Sequence, residues 1–161
     1  MITKIRKMRP QDKTAVMQIL NTTSEFKPFE VTVAEELIDA FLEEGDSSGY
    51  PTRVAVVANE ICGYICFGET PLTIGTWDIY WIAVEKSEQG KGIGKSLMAA
   101  VEKEIAKLSG RLILIETSST EEYEKTRVFY SRIGYTVVCS IKDFYLPGDD
   151  KVILEKRLGH V

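Results

Sequence analysis

The sequence predicts an α/β (α+β) fold: a mixed, mostly antiparallel sheet of about seven strands with helices on both faces. Three observations carry that expectation. Strand-like and helix-like segments follow one another in the order β-α-α-β-β-β-α-β-α-β-β. Strands succeed one another directly in the first half and again at the end, and short turns between them make hairpins. One strand–helix–strand run, from Ile74 to Thr117, requires a parallel crossover. A chain of 161 residues with 44% hydrophobic content suffices for one continuous core, so residues 1–161 are expected to form a single domain.

The elements can be justified in order. Ile2–Arg6 alternates as a short strand. Asp12 opens a helix running to Leu20 and is the expected N-cap. Thr32 and Glu35 have the spacing of a capping box before a second helix, whose Ala34, Leu37, Ile38, Phe41 and Leu42 recur at helical spacing. Thr52–Ala58 is valine-rich, Asn59-Glu60 forms a tight turn, and Ile61–Gly68 returns. Ile74–Val84 is a third strand. A helix from about Lys95 to Leu108 presents Leu97, Met98, Val101, Ile105 and Leu108 on one face. Arg111–Thr117 is a strand. Glu121–Arg132 is a helix ending near Gly134. Tyr135–Ile141 and Lys151–Arg157 are the last strands, joined across Pro147-Gly148-Asp149-Asp150.

Charge excludes some partners. The net charge is -4 and the sequence pI about 5.2, and acids are interleaved with the bases. A basic stripe for phosphate neutralisation is missing, so nucleic acid is not the expected partner. No run of eighteen apolar residues exists to span a membrane. The opening MITKIRKMRP lacks a secretory apolar block, which makes the cytoplasm the expected location. Cys62, Cys66 and Cys139 are odd in number, and the only histidine is His160. Neither a disulfide framework nor a zinc site is expected, and Cys62 and Cys66 read as buried, inert thiols.

The chemistry points to Gln89-Gly90-Lys91-Gly92-Ile93-Gly94-Lys95-Ser96. Three glycines alternate with other residues between a strand and a helix. Glycine admits backbone conformations that bring N–H groups up to a ligand, and a helix start adds unpaired amides and partial positive charge. The expectation is an anion cradle for a phosphate or diphosphate. A nucleotide P-loop would need glycine where Gln89 stands, and the dinucleotide fingerprint would need glycine where Lys95 stands.

These residues resemble the GCN5-related N-acetyltransferase (GNAT) superfamily. Gln89–Gly94 matches its [QR]-x-x-G-x-[GA] signature. Ile79–Val84 precedes the loop at the family's usual distance, and Phe129-Tyr130-Ser131-Arg132-Ile133-Gly134-Tyr135 is similar to its F-Y-x-x-x-G-[FY] segment. The resemblance implies acetyl-CoA (coenzyme A) as cofactor. Its diphosphate would be held by the amides of Gly90, Gly92 and Gly94, with Gln89, Lys91, Ile93, Lys95 and Ser96 around them. Backbone groups of Ile82 and Val84 would pair with the pantetheine arm, as an added strand does. Where many members carry Asn and Ala before the helix tyrosine, this chain has Tyr123 and Thr126. These two, with Arg127 and Phe129, are the expected remaining cofactor contacts. The resemblance is also compatible with a homodimer.

Acyl transfer to an amine needs a base, a donor to the developing oxyanion and an acid for the leaving thiolate. By resemblance Tyr130 is the acid. Asp78 is the candidate base, sharing a strand face with Tyr80, Ile82 and Val84, and Glu116 is the other candidate. A backbone amide near Ala83–Val84 would serve the oxyanion. The acceptor is expected to be a primary amine on a small molecule, amino acid or peptide. The resemblance implies that two segments would meet it: Asn21–Glu30, with Phe26, Pro28, Phe29 and Glu30, and Asp143–Asp150. The alternative reading is an acyl-CoA sensor without turnover. A nucleotide phosphotransferase rests only on Gly94-Lys95-Ser96.

Overall fold

The structure, a computed structural model, describes residues 2–159; His160 lies outside them. The strands are β1 (Lys4–Lys7), β2 (Thr52–Val57), β3 (Glu60–Glu69), β4 (Thr76–Val84), β5 (Leu112–Ser118), β6 (Thr136–Leu146) and β7 (Asp149–Arg157). The helices are α1 (Lys13–Thr22), α2 (Pro28–Glu44), α3 (Ile93–Lys107) and α4 (Glu124–Arg132). The strands form one seven-stranded sheet in the order β1-β2-β3-β4-β5-β7-β6. The β4–β5 pair is parallel, whereas β1–β2, β2–β3, β5–β7 and β6–β7 are antiparallel. The chain forms two compact units: one runs to Gly68 and resumes over Tyr80–Glu104, and the other comprises Glu69–Ile79 and the chain from Ile105 onward.

In the first unit, α1 and α2 contribute Val16, Ile19, Leu20, Val31, Ala34, Ile38 and Phe41 to a core with Val54, Tyr64 and Cys66. At about 25 cal/mol per Å² of apolar surface removed from water, each fully buried Leu, Ile or Phe contributes about 2 kcal/mol. Helix α1 starts where its cap signal places it, with Asp12 at the N-cap position, whereas α2 starts earlier than its own signal suggests. Asp12 makes no side-chain cap on α1; its carboxylate accepts from the Arg9 amide at 2.7 Å and pairs with Arg6 at 2.6 Å. Helix α2 starts at Pro28, a turn before Thr32, because proline suits a first helical position that needs no amide. Thr32 instead donates its hydroxyl to the Pro28 carbonyl, and Glu30 caps the Lys27 amide at 2.7 Å. The β2–β3 turn is centred on Ala58 and Asn59, both at positive φ (49° and 68°), the backbone of a hairpin turn that follows sheet twist. Arg53 of β2 is only 4% exposed. Its guanidinium reaches Glu104 of α3 and Asp46 and lies over the Phe67 ring.

In the second unit, β4 starts two residues later than expected because Gly75 (φ 73°) turns the chain before Thr76. Leu108 completes the apolar stripe of α3 in sequence yet is 58% exposed. The helix stops at Lys107: Ser109 adopts φ 62°, and the Gly110 amide bonds to the Ile105 carbonyl at 2.9 Å, which closes the helix and turns Leu108 outward. The last hairpin is longer than its hydrophobic pattern suggests. β6 continues to Leu146, which pairs with Asp149 across Pro147-Gly148, and Gly148 has φ 87°, as the third residue of a tight turn requires.

Candidate active site

The loop that closes β4 onto α3 has the expected conformation. Gly90 and Gly92 sit at φ 77° and 85°, where an L-residue is disfavoured by about 1–2 kcal/mol. A Cβ on either would meet nothing within 4 Å, so packing does not demand these glycines; backbone conformation does. Among the described residues, the amides of Gly90, Lys91, Gly92, Ile93, Gly94 and Lys95 make no well-formed hydrogen bond to the chain. The first claimed amide is that of Ser96, which donates to the Gly92 carbonyl at 3.0 Å, with its hydroxyl on the same oxygen at 3.1 Å. A run of unclaimed amides at a helix start is the anion site that electrostatics favours, and it fits a diphosphate. Lys91 forms an ion pair with Glu88 at 2.9 Å, and Lys95 is exposed.

Gln89 has a definite task. Its Nε2 donates to the Val84 carbonyl at 3.2 Å and ties the loop to the strand end. The Glu85 amide bonds to the Cys62 carbonyl at 2.9 Å, so by strand alternation Ala83 faces β3 while the backbone groups of Ile82 and Val84 face the other edge. The β4–β5 ladder covers Thr76↔Leu112 to Ile79↔Ile115. Of the Val84 groups expected to meet a pantetheine arm, the carbonyl is already engaged by Gln89.

Gly63 was not singled out from the sequence, yet it sets the seat of α3. A Cβ there would lie 3.1 Å from Leu97 Cδ1, 3.2 Å from the Ala83 carbonyl and 3.3 Å from Ile93 Cγ2. The absent side chain lets the first turn of α3 lie close to the sheet. A lone glycine inside a strand pattern was the available signal.

The second unit holds the proton-transfer candidates. Asp78 pairs with Leu114 across the parallel ladder, and Glu116 is two residues beyond Leu114, so both carboxylates are on one face. Asp78 is half-buried, and its Oδ2 accepts from the Thr70 hydroxyl at 2.5 Å. Burial pushes its carboxyl above the usual range, and the negative charge of Glu116 adds to this, whereas the Thr70 bond opposes it. Glu116 is more exposed and pairs with Lys151 at 2.7 Å.

Tyr130 is buried and its phenol is shifted upward by burial. Its place follows from how α4 ends. The Tyr135 amide bonds to the Tyr130 carbonyl at 3.0 Å, the Gly134 amide to that of Ser131 at 3.1 Å, and Gly134 has φ 95°. This is the Schellman closure, whose apolar contact here is the edge-on packing of the Tyr130 and Tyr135 rings, 5.9 Å between centroids. The spacing Tyr-x-x-x-Gly-Tyr is thus the spacing of that closure. Phe129 packs against Tyr130 at 5.3 Å. Arg127 donates to the carbonyls of Ser118 and Thr120 at 2.7 and 2.8 Å, fastening the connection from β5 to α4. Tyr123 and Thr126 are half-buried in the short turn before α4 and in α4 itself.

The two acceptor segments belong to different units. In the first, Phe26 stacks on Trp81 at 6.3 Å, and Phe29 is exposed. In the second, Asp143 has φ 51° and accepts from the Gly148 amide, while Asp150 accepts from that of Asp143. Asp149 is buried and accepts from Ser118 at 2.6 Å. Cys62 and Cys66 are buried free thiols; burial raises both, Cys66 to about 12. Among the described residues no group of His, Cys, Asp and Glu could hold a metal.

An acyl-CoA-dependent acetyltransferase is the class defined by this sheet, with its glycine cradle after β4 and its helix tyrosine. Residues 49–137 match the model of the acetyltransferase (GNAT) domain, so the chain belongs to the GNAT family. A crystal structure of a GNAT-family protein from Desulfovibrio desulfuricans is 38% identical, covering 98% of this chain and 100% of that one with a TM-score of 0.94. The 5-NmdU N-acetyltransferase of Pseudomonas phage PaMx11 is 27% identical over 136 residues, 83% of this chain and 86% of that one. The Salmonella typhimurium protein yncA, solved with acetyl-CoA, shares the fold at a TM-score of 0.76 with 17% identity, covering 99% of this chain and 95% of that one.

Proposed function

We propose that the chain moves an acetyl group from acetyl-CoA directly to a primary amine of a small molecule, amino acid or peptide within a ternary complex. The observation that carries this reading is the run of unclaimed amides from Gly90 to Lys95. They would hold the diphosphate, with Lys95 adding charge, and the backbone groups of Ile82 with the Val84 N–H would align the arm. Acetyl-CoA supplies the activated thioester.

Asp78 takes a proton from the acceptor ammonium, directly or through one water, so that the neutral amine can attack. It suits this task better than Glu116, because burial raises its pKa while the Glu116 carboxylate is already engaged by Lys151. The N–H at Ala83–Val84 is assigned to the developing oxyanion. Tyr130 would give its phenolic proton to the departing sulfur and recover one from the nitrogen of the new amide, and burial keeps the phenol protonated at neutral pH.

The test is release of free thiol from acetyl-CoA across a panel of primary amines. Turnover with at least one amine supports transfer. Tight acetyl-CoA binding without thiol release on any amine would favour the sensor instead.

A further inference from the structure

Helix α4 has nine residues, and Tyr130 is the one that is fully buried. A helix this short is marginal without tertiary support, and one buried side chain supplies little of it. The Gly134 closure fixes its C-terminal end; polar bonds hold its N-terminal end. Arg127 Nη1 donates to the carbonyls of Ser118 and Thr120 at 2.7 and 2.8 Å, so the helix clasps the chain on both sides of Ser119. The last hairpin holds the same stretch from the other direction. The Ser118 hydroxyl donates to Asp149 Oδ1 at 2.6 Å, and both residues are buried. A hydroxyl carries one hydrogen, so Thr120 supplies the hydrogen in the 2.9 Å contact between the Ser118 and Thr120 hydroxyls. The Thr120 amide donates to the same Ser118 oxygen at 3.1 Å. Beside it, the Ser119 amide donates to the Asp150 carbonyl at 3.0 Å, and the Asp150 amide donates to Ser119 Oγ at 2.8 Å.

We propose that Ser118 is a positioning residue for the transfer: through Asp149 it anchors the loop that Arg127 clasps, and so sets where α4 places Tyr130. The proposal rests on the reading of Tyr130 as the acid. Ser118 acts through that tyrosine and passes no proton in the reaction. Its bond to the buried carboxylate is short and charge-assisted, the stronger kind of hydrogen bond. Hydrogen bonds also have direction, which apolar packing lacks. A helix held by this network cannot slide along its axis without breaking several bonds together. The chemistry needs that restraint, because misplacing a reacting group by about 1 Å can cost about 10²-fold in rate. The tie also joins the hairpin proposed to meet the acceptor to the helix that carries the acid. Asp149 is the residue they share, since it lies in the Asp143–Asp150 segment and accepts from Ser118.

The test uses the full chain and the primary amine that releases thiol fastest from acetyl-CoA. Ser118→Ala should lower kcat by about tenfold or more, with a smaller change in KM. Acetyl-CoA affinity by calorimetry should stay within about twofold of the parent. Ser118→Thr restores the hydroxyl and should recover most of kcat. In a Tyr130→Phe background Ser118→Ala should cost less than it does in the parent, because the two residues act on one step. The place of Tyr130 can also be read without turnover, from the ζ-carbon NMR signal of isotope-labelled tyrosine, assigned by its loss in Tyr130→Phe. That signal should move in Ser118→Ala and return in Ser118→Thr. Arg127→Met frees the same loop from the helix side and should move the same signal, which tests the inference if Ser118→Ala does not fold. A folded Ser118→Ala protein with a lower Tm but the parent's kcat and Tyr130 signal would overturn the proposal, since the network would then serve stability only. Parent-like turnover by Tyr130→Phe would instead remove the acid assignment, whatever Ser118 does to the signal, so the two failures are distinct.

Discussion

Thr70 donates its hydroxyl hydrogen to Asp78 at 2.5 Å, and this bond opposes what burial and Glu116 do to the same carboxylate. If Asp78 is the base, the acid limb of kcat/KM lies above the ordinary carboxylate range. Removing the Glu116 charge by Glu116→Gln should move that limb to lower pH, and removing the donor by Thr70→Val should move it higher. Opposite shifts from two residues that flank one carboxylate are the signature to seek in the pH–rate profile. A limb that neither variant moves would exclude Asp78.

Asp78→Asn should separate function from stability. Loss of a general base lowers kcat by about 10²–10⁴-fold. The folded-state pKa of Asp78 is raised, so the folded protein binds its proton more tightly than the unfolded chain does. The stability tied to that proton is present at low pH and is lost as pH rises through the folded pKa. At neutral pH the ionised carboxylate therefore opposes folding, and Asp78→Asn should match or exceed the parent in urea melts while being nearly inactive.

Tyr130→Phe keeps the buried ring and removes only the phenolic proton. Turnover should fall by about 10²-fold or more, with acetyl-CoA affinity and Tm little changed. Gly134→Ala probes the same tyrosine through its backbone. The helix closure needs φ 95° at this position, which costs alanine about 1 kcal/mol. A Cβ there would meet only the end of the Lys156 side chain, 3.6 Å away. The expected result is a modest loss of stability with a larger loss in kcat than in KM, because the closure sets where Tyr130 stands.

Arg53 is the buried cation of the first unit, held by Glu104 and Asp46. Removing one partner of a buried pair costs up to about 3–5 kcal/mol; here Glu104 and Asp46 reach solvent, so Arg53→Met should cost about 2–3 kcal/mol in urea unfolding. Burial tends to raise the Asp46 carboxyl, but bonds from Lys7 and Arg53 outweigh it and hold the pKa below the usual value. That depressed pKa contributes stability above the unfolded value, lost as pH falls through the folded one. Arg53→Met should therefore flatten the acid limb of stability as well as lower the plateau.

Element order, sheet composition and the parallel crossover were legible in the sequence because hydrophobic period and turn chemistry are local. So was the backbone conformation of the Gln89–Gly94 loop, since alternating glycines at a strand–helix junction signify backbone conformation rather than packing. What the sequence concealed depends on long-range placement. Thr70 comes eight residues before Asp78, beyond a hairpin turn, and no pattern announces that its hydroxyl returns. Lys151 reaches Glu116 only because β7 pairs with β5 in one register. The missed start of α2 has a different cause: Thr32 and Glu35 imitate a capping box, and Pro28 overrides them.

Gly63 offers the last test, because it acts on the cradle without belonging to it. Its missing Cβ lets Ile93 and Leu97 lie against β3, and Ile93 opens the helix whose unclaimed amides would hold the proposed diphosphate. Gly63→Val places methyl groups where the neighbours already stand 3.1–3.3 Å from a bare Cβ, and overpacking of this kind costs about 1–3 kcal/mol. Displacement of the first turn of α3 would misalign several amides together. Acetyl-CoA affinity by calorimetry should fall at least as far as in Gly92→Val, for which the left-handed φ alone predicts about a tenfold loss. Gly90 and Gly92 would be intact in that variant, so a fall in affinity would trace to the seat of the helix. Unchanged affinity in a folded Gly63→Val protein would mean that the amides act independently of where α3 rests.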